Sequence, residues 1–194
     1  SEESLNYIDV STKTVYVKFK INELQNTYIV AWTTTPWTLV ANLALCVNKD
    51  LEYDFVLAES NEIYIVGKDK HKNCGIKVDH IIKTVKGSEL VGLTYKPIYD
   101  YYKNARFYKI VSDNYVQESG ANGTDIVHLA PTFGEDDFRV CMANNIVDHG
   151  IIAELDPIDS NCRYNPVIKN YEGILVFDAQ QQILKDLKEN KALI

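Results

Sequence analysis

Strict alternation of apolar and polar side chains is the feature that most limits this fold. Val15, Val17, Phe19 and Ile21 are separated by polar or charged residues, and a period of two puts one set on a buried face only in a strand. Further runs rich in β-branched and aromatic residues lie at 27–32, 52–57, 62–66, 78–85, 107–111 and 124–130, parted by Gly, Asn, Asp and Lys. Helices are fewer. The stretch 134–145 opens in three acids, and 178–190 has Asp178 as its cap and Ile183, Leu184 and Leu187 as an apolar stripe. The expected class is α+β, β-rich, with a barrel-like curled sheet and peripheral helices. The Tyr-rich stretch 95–108 reads as a surface connection, and residues 1–194 as a single domain.

Bulk chemistry narrows the partners. At 194 residues and 46% hydrophobic content the chain has enough apolar surface for one sizeable core. Its 20 basic and 27 acidic residues leave a net charge of −7, the wrong sign for gripping a long stretch of phosphate backbone, so any nucleic-acid contact is local. Cys46, Cys74, Cys141 and Cys162 show neither CxxC spacing nor a companion His, which predicts no metal, no disulfide framework and a reducing compartment. No apolar run approaches the roughly 20 residues that cross a bilayer, and the polar start SEESLNYIDV lacks a signal-peptide layout. A cytoplasmic protein without membrane contact is expected. Met142 is the sole methionine, so the chain reads as a piece of a longer protein.

Two segments carry chemistry. In AWTTTPWTLVAN, 31–42, a β-branched strand runs into three threonines and then Pro36. Proline at a first helical position costs nothing, Thr35 can cap, and backbone donors left at the turn suit an oxyanion. A plain account, with Thr33 and Thr34 as strand residues and Thr35 as a cap, stands beside that one. In GTDIVHLAPTFGEDDFRVC, 123–141, an apolar strand again passes through a Pro- and Gly-containing turn into a helix. On that helix Glu135 and Asp136 lie four and three residues before Arg139 and can pair with it on a solvated face. Asp137 instead shares its face with Val140 and Cys141, so its carboxylate points toward packing or a cleft. An acid answering the helix dipole would explain all three equally. His128 alternates to the side of Ile126 and Ala130, where a lone histidine is more often a core or rim residue than a catalyst. His71, His80 and His149 have no companion motif.

WTTTPWTL, at 32–39, and GTDIVHLAPTFGEDD, at 123–137, resemble the editing insertion (CP1) of isoleucyl-tRNA synthetases, class I enzymes, in their eukaryotic cytosolic form. The TTTPW form resembles the isoleucyl branch, where valyl and leucyl relatives carry an Arg-Pro, and His128 stands where the valyl branch has a lysine. LALCVN, at 43–48, and YEGILVFDA, at 171–179, extend the likeness over most of the chain. Val40 stands where the family usually has Pro, and Asp125 where a second Gly is common.

The resemblance implies a proofreading hydrolase that deacylates Val-tRNA(Ile) by water attack without a covalent intermediate or cofactor. Asp137 would bind the α-ammonium group. Thr33, Thr34 and Thr35 would hold the terminal adenosine and the ester and place the water, and His128 would border the side-chain pocket. Trp32 or Trp37 would offer a face for base stacking at the single-stranded CCA end. One methylene is worth only about 1–3 kcal/mol to a synthetic pocket, so the resemblance implies a second, hydrolytic sieve that clears whatever is small enough to enter it. No HIGH-like or KMSKS-like segment occurs, so the chain is expected to edit without activating amino acids, beside the catalytic domain in cis. Rival readings are a valyl- or leucyl-type editor, a non-catalytic tRNA-end binding module, and a metal-dependent hydrolase on Glu135, Asp136 and Asp137.

Overall fold

A computed structural model describes residues 14–194; the polar start at 1–10 lies outside them. The strands are β1 (Val15–Lys20), β2 (Thr27–Thr33), β3 (Ala44–Val47), β4 (Glu52–Ala58), β5 (Ile63–Gly67), β6 (Val78–Lys86), β7 (Lys109–Ser112) and β8 (Val127–Leu129). Two α-helices follow, α1 (Glu135–Ala143) and α2 (Gln180–Glu189). The class is therefore α+β and sheet-rich, as the alternation predicts. Its ladders are two open sheets, ordered β1-β2-β5-β4-β6 and β7-β3-β8, and no closed barrel is found among the described residues.

Why the larger sheet forms is visible in its pleat. β1 and β2 pair antiparallel with Val17 opposite Ala31 and Phe19 opposite Ile29, and these fully buried residues belong to the main core. Intervening residues reach the other face, where Val30, Val56, Tyr64, Val66 and Cys74 form a second, smaller cluster. β3 escapes the sequence reading for a physical reason: all four of its residues are buried, so no polar face marks the period. It is the central strand of the smaller sheet, parallel to β7 and antiparallel to β8, and it places Leu45 opposite His128.

Backbone conformation corrects several boundaries. The expected strand at 124–130 shrinks to Val127–Leu129 because Asp125 takes φ 63°, and the one at 107–111 starts late because Tyr108 takes φ 66°. α2 begins after Ala179, with no side-chain cap bond, so Asp178 is not its cap. The Tyr-rich stretch is no surface connection: Tyr95, Tyr102 and Phe107 are buried in the main core, where Tyr95 meets Phe19 edge-on at 5.2 Å.

Candidate active site

Both chemistry-bearing segments end at one cleft of about 790 Å³. Trp32, Thr33, Thr34, Thr35, Trp37, His128 and Asp137 all line it. β2 delivers the first group. After Thr33 the chain enters a 3-10 turn, Pro36–Ala41, in place of the expected α-helix. The Thr35 side chain makes no cap bond; the Thr33 hydroxyl accepts the Thr35 N–H at 3.1 Å instead. One of the backbone donors expected for an oxyanion is thereby taken. Thr33 is buried, Thr35 half-buried and Thr34 exposed to the cleft.

β8 and α1 deliver the second group, and the three acids separate as their helical positions predict. Glu135 and Asp136 are exposed, and Asp136 pairs with Arg139 at 3.2 Å. Arg139's stronger contact is one the sequence did not reveal, a two-pronged pair with Asp113 at 3.0 and 3.2 Å; no pair with Glu135 forms. Asp137 turns inward. Its Oδ2 accepts the Ala130 N–H at 2.9 Å, which ties the first turn of α1 to the end of β8. Gly134 leaves space for Oδ1, since a Cβ there would stand 3.0 Å from it. Burial pushes the Asp137 carboxyl above its ordinary value, partly offset by the Ala130 hydrogen bond.

His128 is locked by neighbours that sequence reasoning missed. Asn42 Nδ2 donates to the Ala44 carbonyl at 3.0 Å, and Asn42 Oδ1 accepts from the buried Tyr95 hydroxyl at 2.5 Å. The amide orientation follows from the carbonyl, which only accepts. The contact of Asn42 Nδ2 with His128 Nδ1 at 2.8 Å therefore makes Nδ1 the acceptor. His128 Nε2 carries the proton and donates to Thr38 Oγ1 at 2.9 Å, and that hydroxyl donates to the Thr35 carbonyl at 2.9 Å. Burial pushes the imidazole down to about 4. His128 is thus a neutral wall with neither ring nitrogen free, unsuited to be a base. The signal for Asn42 was present: an amide inside the apolar run LVANLAL is a buried polar group that must find partners.

Trp37 is packed, its ring edge-on to Phe133 at 5.2 Å and Phe177 at 5.5 Å. Trp32 Nε1 and the Tyr115 hydroxyl are buried with no partner, and both residues line the cleft. The 117–125 loop also lines the cleft, and the sequence reading reached only its last residues, 123–125. There Asp125 Oδ1 accepts the Ser119 N–H at 2.6 Å while the Asp125 N–H donates to Ser119 Oγ at 3.1 Å. Among the described residues no Lys or Arg lines the cleft. The four cysteines are unpaired thiols, three of them buried, and burial pushes Cys46 and Cys141 up to about 12, so neither is an activated nucleophile. Among the described residues no group of three His, Cys, Asp or Glu side chains converges to hold a metal.

No family model matches the chain. Over its whole length it is 35% identical to the cytoplasmic isoleucine–tRNA ligase of Saccharomyces cerevisiae and 37% identical to that of Caenorhabditis elegans. It spans 18% and 17% of those proteins, less than a fifth of their length. Over its full length the chain is thus similar to one stretch of isoleucine–tRNA ligases. The fold agrees: the crystal structure of GlLeuRS-CP1 superposes with a TM-score of 0.69 at 17% identity, covering 94% of this chain and 98% of that one. The P. knowlesi cytosolic leucyl-tRNA synthetase editing domain gives 0.66 at 12% identity, covering 93% and 95%. Among the described residues no helix is long and apolar enough to cross a membrane.

Proposed function

We propose that this domain is an aminoacyl-tRNA deacylase that hydrolyses the ester of Val-tRNA(Ile) in the cytoplasm, as the second sieve of an isoleucyl-tRNA synthetase whose catalytic domain sits beside it in cis. The observation that carries the reading is the placement of Asp137. A half-buried carboxylate, fixed by the Ala130 N–H, faces the same cleft as the threonine turn and the imidazole wall. In that cleft it meets the α-ammonium group, a charge-assisted contact in partly water-excluded surroundings. Thr33, Thr34 and Thr35 hold the terminal adenosine of the CCA end and the ester carbonyl, and they place the attacking water. His128 limits the space for the amino-acid side chain, admitting valine and rejecting the extra methylene of isoleucine. Trp32, whose indole N–H has no partner, offers the freer aromatic face for the base; Trp37 is committed to Phe133 and Phe177.

An ester is already an activated acyl group, so positioning and oxyanion stabilisation by hydroxyl and backbone donors suffice. Neither a covalent intermediate nor a cofactor takes part, and residues 1–194 act as one editing unit. The test is deacylation of Val-tRNA(Ile) and Ile-tRNA(Ile), with and without a chelator. Valine release that outpaces isoleucine release and survives chelation is the expected outcome. Faster release from Thr-tRNA would make it a valyl-type editor, binding without turnover a recognition module, and chelator sensitivity a metallohydrolase.

A further inference from the structure

A second cleft, of about 830 Å³, is lined by Lys18, Lys20, Lys96 and Lys191 together with Tyr28 and Pro97. Register puts it at the far end of the β1–β2 pair, because Lys20 lies opposite Tyr28 and Tyr16 opposite Trp32; four residues of strand separate Tyr28 from Trp32, about 13 Å. The one acid in its lining, Glu62, is already matched by Lys18 at 2.8 Å. Two ammonium groups, Lys96 and Lys191, remain uncompensated, while Lys20 lies near the Glu23 carboxylate, whose charge it favours. Lys96 and Lys191 are exposed, with no ion pair among the described residues. Lys20 Nζ donates to the Ile21 and Leu24 carbonyls at 2.6 and 2.7 Å, which hold the ammonium in place without cancelling its charge. Such a concentration of positive charge is set against a chain of net charge −7. Among the described residues, by contrast, no cationic side chain lines the candidate active site.

We propose that this lysine cleft binds backbone phosphates of the tRNA whose 3′ end enters the active-site cleft. The inference rests on the editing reading and adds the contact that an acidic domain needs in order to hold a polyanion locally. Each neutralised phosphate releases condensed counterions, so binding through these lysines falls steeply with salt and carries no sequence preference. Tyr28 and Pro97 give the cleft flat apolar walls between its charges.

Affinity for an uncharged tRNA(Ile) transcript over a KCl series tests the proposal, with the double variant Lys96→Ala/Lys191→Ala. The control is Lys83→Ala/Lys86→Ala, the same charge change on β6 at the opposite edge of the sheet. The cleft variant is expected to flatten the slope of log affinity against log salt by about 2, one per lost phosphate contact. It is also expected to raise KM for Val-tRNA(Ile) while kcat holds. An unchanged slope, or an equal loss in the control pair, overturns the proposal: the first would mean that the cleft serves another partner, the second that net charge alone is felt. Failure of the editing reading looks different, as absent turnover by the unaltered chain, and leaves the salt series readable.

Discussion

At the scale of single residues, protonation states divide the labour of the cleft. His128 is held neutral, with its folded value of about 4 well below the ordinary 6.5. The sign of its effect on stability follows by linkage. Because the folded value is depressed, the unfolded chain takes up the proton first, so the stabilisation is complete above pH 6.5 and is lost as pH falls from there toward 4. His128→Gln is expected to lower Tm at neutral pH, through loss of the contacts with Asn42 and Thr38, and to flatten the fall of Tm between pH 6.5 and 4. Thermal melts across that window check it, and an equally steep fall in the variant would contradict an imidazole held neutral in the folded state. Asp137 has the opposite sign. Its carboxyl is raised by burial, so the ionised form that would bind an ammonium group is held at a cost to stability at neutral pH.

At the scale of elements, what was legible in the sequence is what repeats. Alternation located β1, β2, β4, β5 and β6 to within a residue or two, because each has two unlike faces or clear turn residues at its ends. β3 was hidden by burial on both sides, and the short β7 and β8 were overextended, since nothing in a string of residues announces the left-handed backbone at Tyr108 and Asp125. The site shows the same divide. Helical spacing separated Asp137 from Glu135 and Asp136, a local matter. The roles of Asn42, Tyr95, Tyr115 and the 117–125 loop depend on contacts between distant segments, which no spacing encodes. Asp125 illustrates the loop's dependence on the sheet, for its carboxylate occupies the space that a Cβ on Gly67 would need, with Oδ2 only 2.2 Å away. Gly67→Ala is therefore expected to cost about 1–3 kcal/mol in chemical denaturation and to loosen the wall of the cleft. Asp125→Gly removes the obstructing carboxylate and suits φ 63°, so the double variant should recover part of the loss; strictly additive losses would show that the two positions do not oppose each other.

At the scale of the whole molecule, two sheets with a shared core present a neutral-to-acidic cleft at one end of β1–β2 and a lysine cleft at the other. A net charge of −7 then becomes intelligible under the proposal that only the 3′ end of a tRNA and its nearby phosphates are met here. The central claim stands or falls on Asp137. Asp137→Asn keeps an oxygen to accept the Ala130 N–H and removes the buried charge, so Tm should hold or rise. Losing the charge opposite an ammonium group costs about 2–5 kcal/mol, at least a roughly 30-fold fall in kcat/KM. The decisive measurement is deacylation of Val-tRNA(Ile) by the unaltered chain and by Asp137→Asn, with melts of both. The account predicts that fall in rate from a protein at least as stable, and an unchanged rate would contradict it.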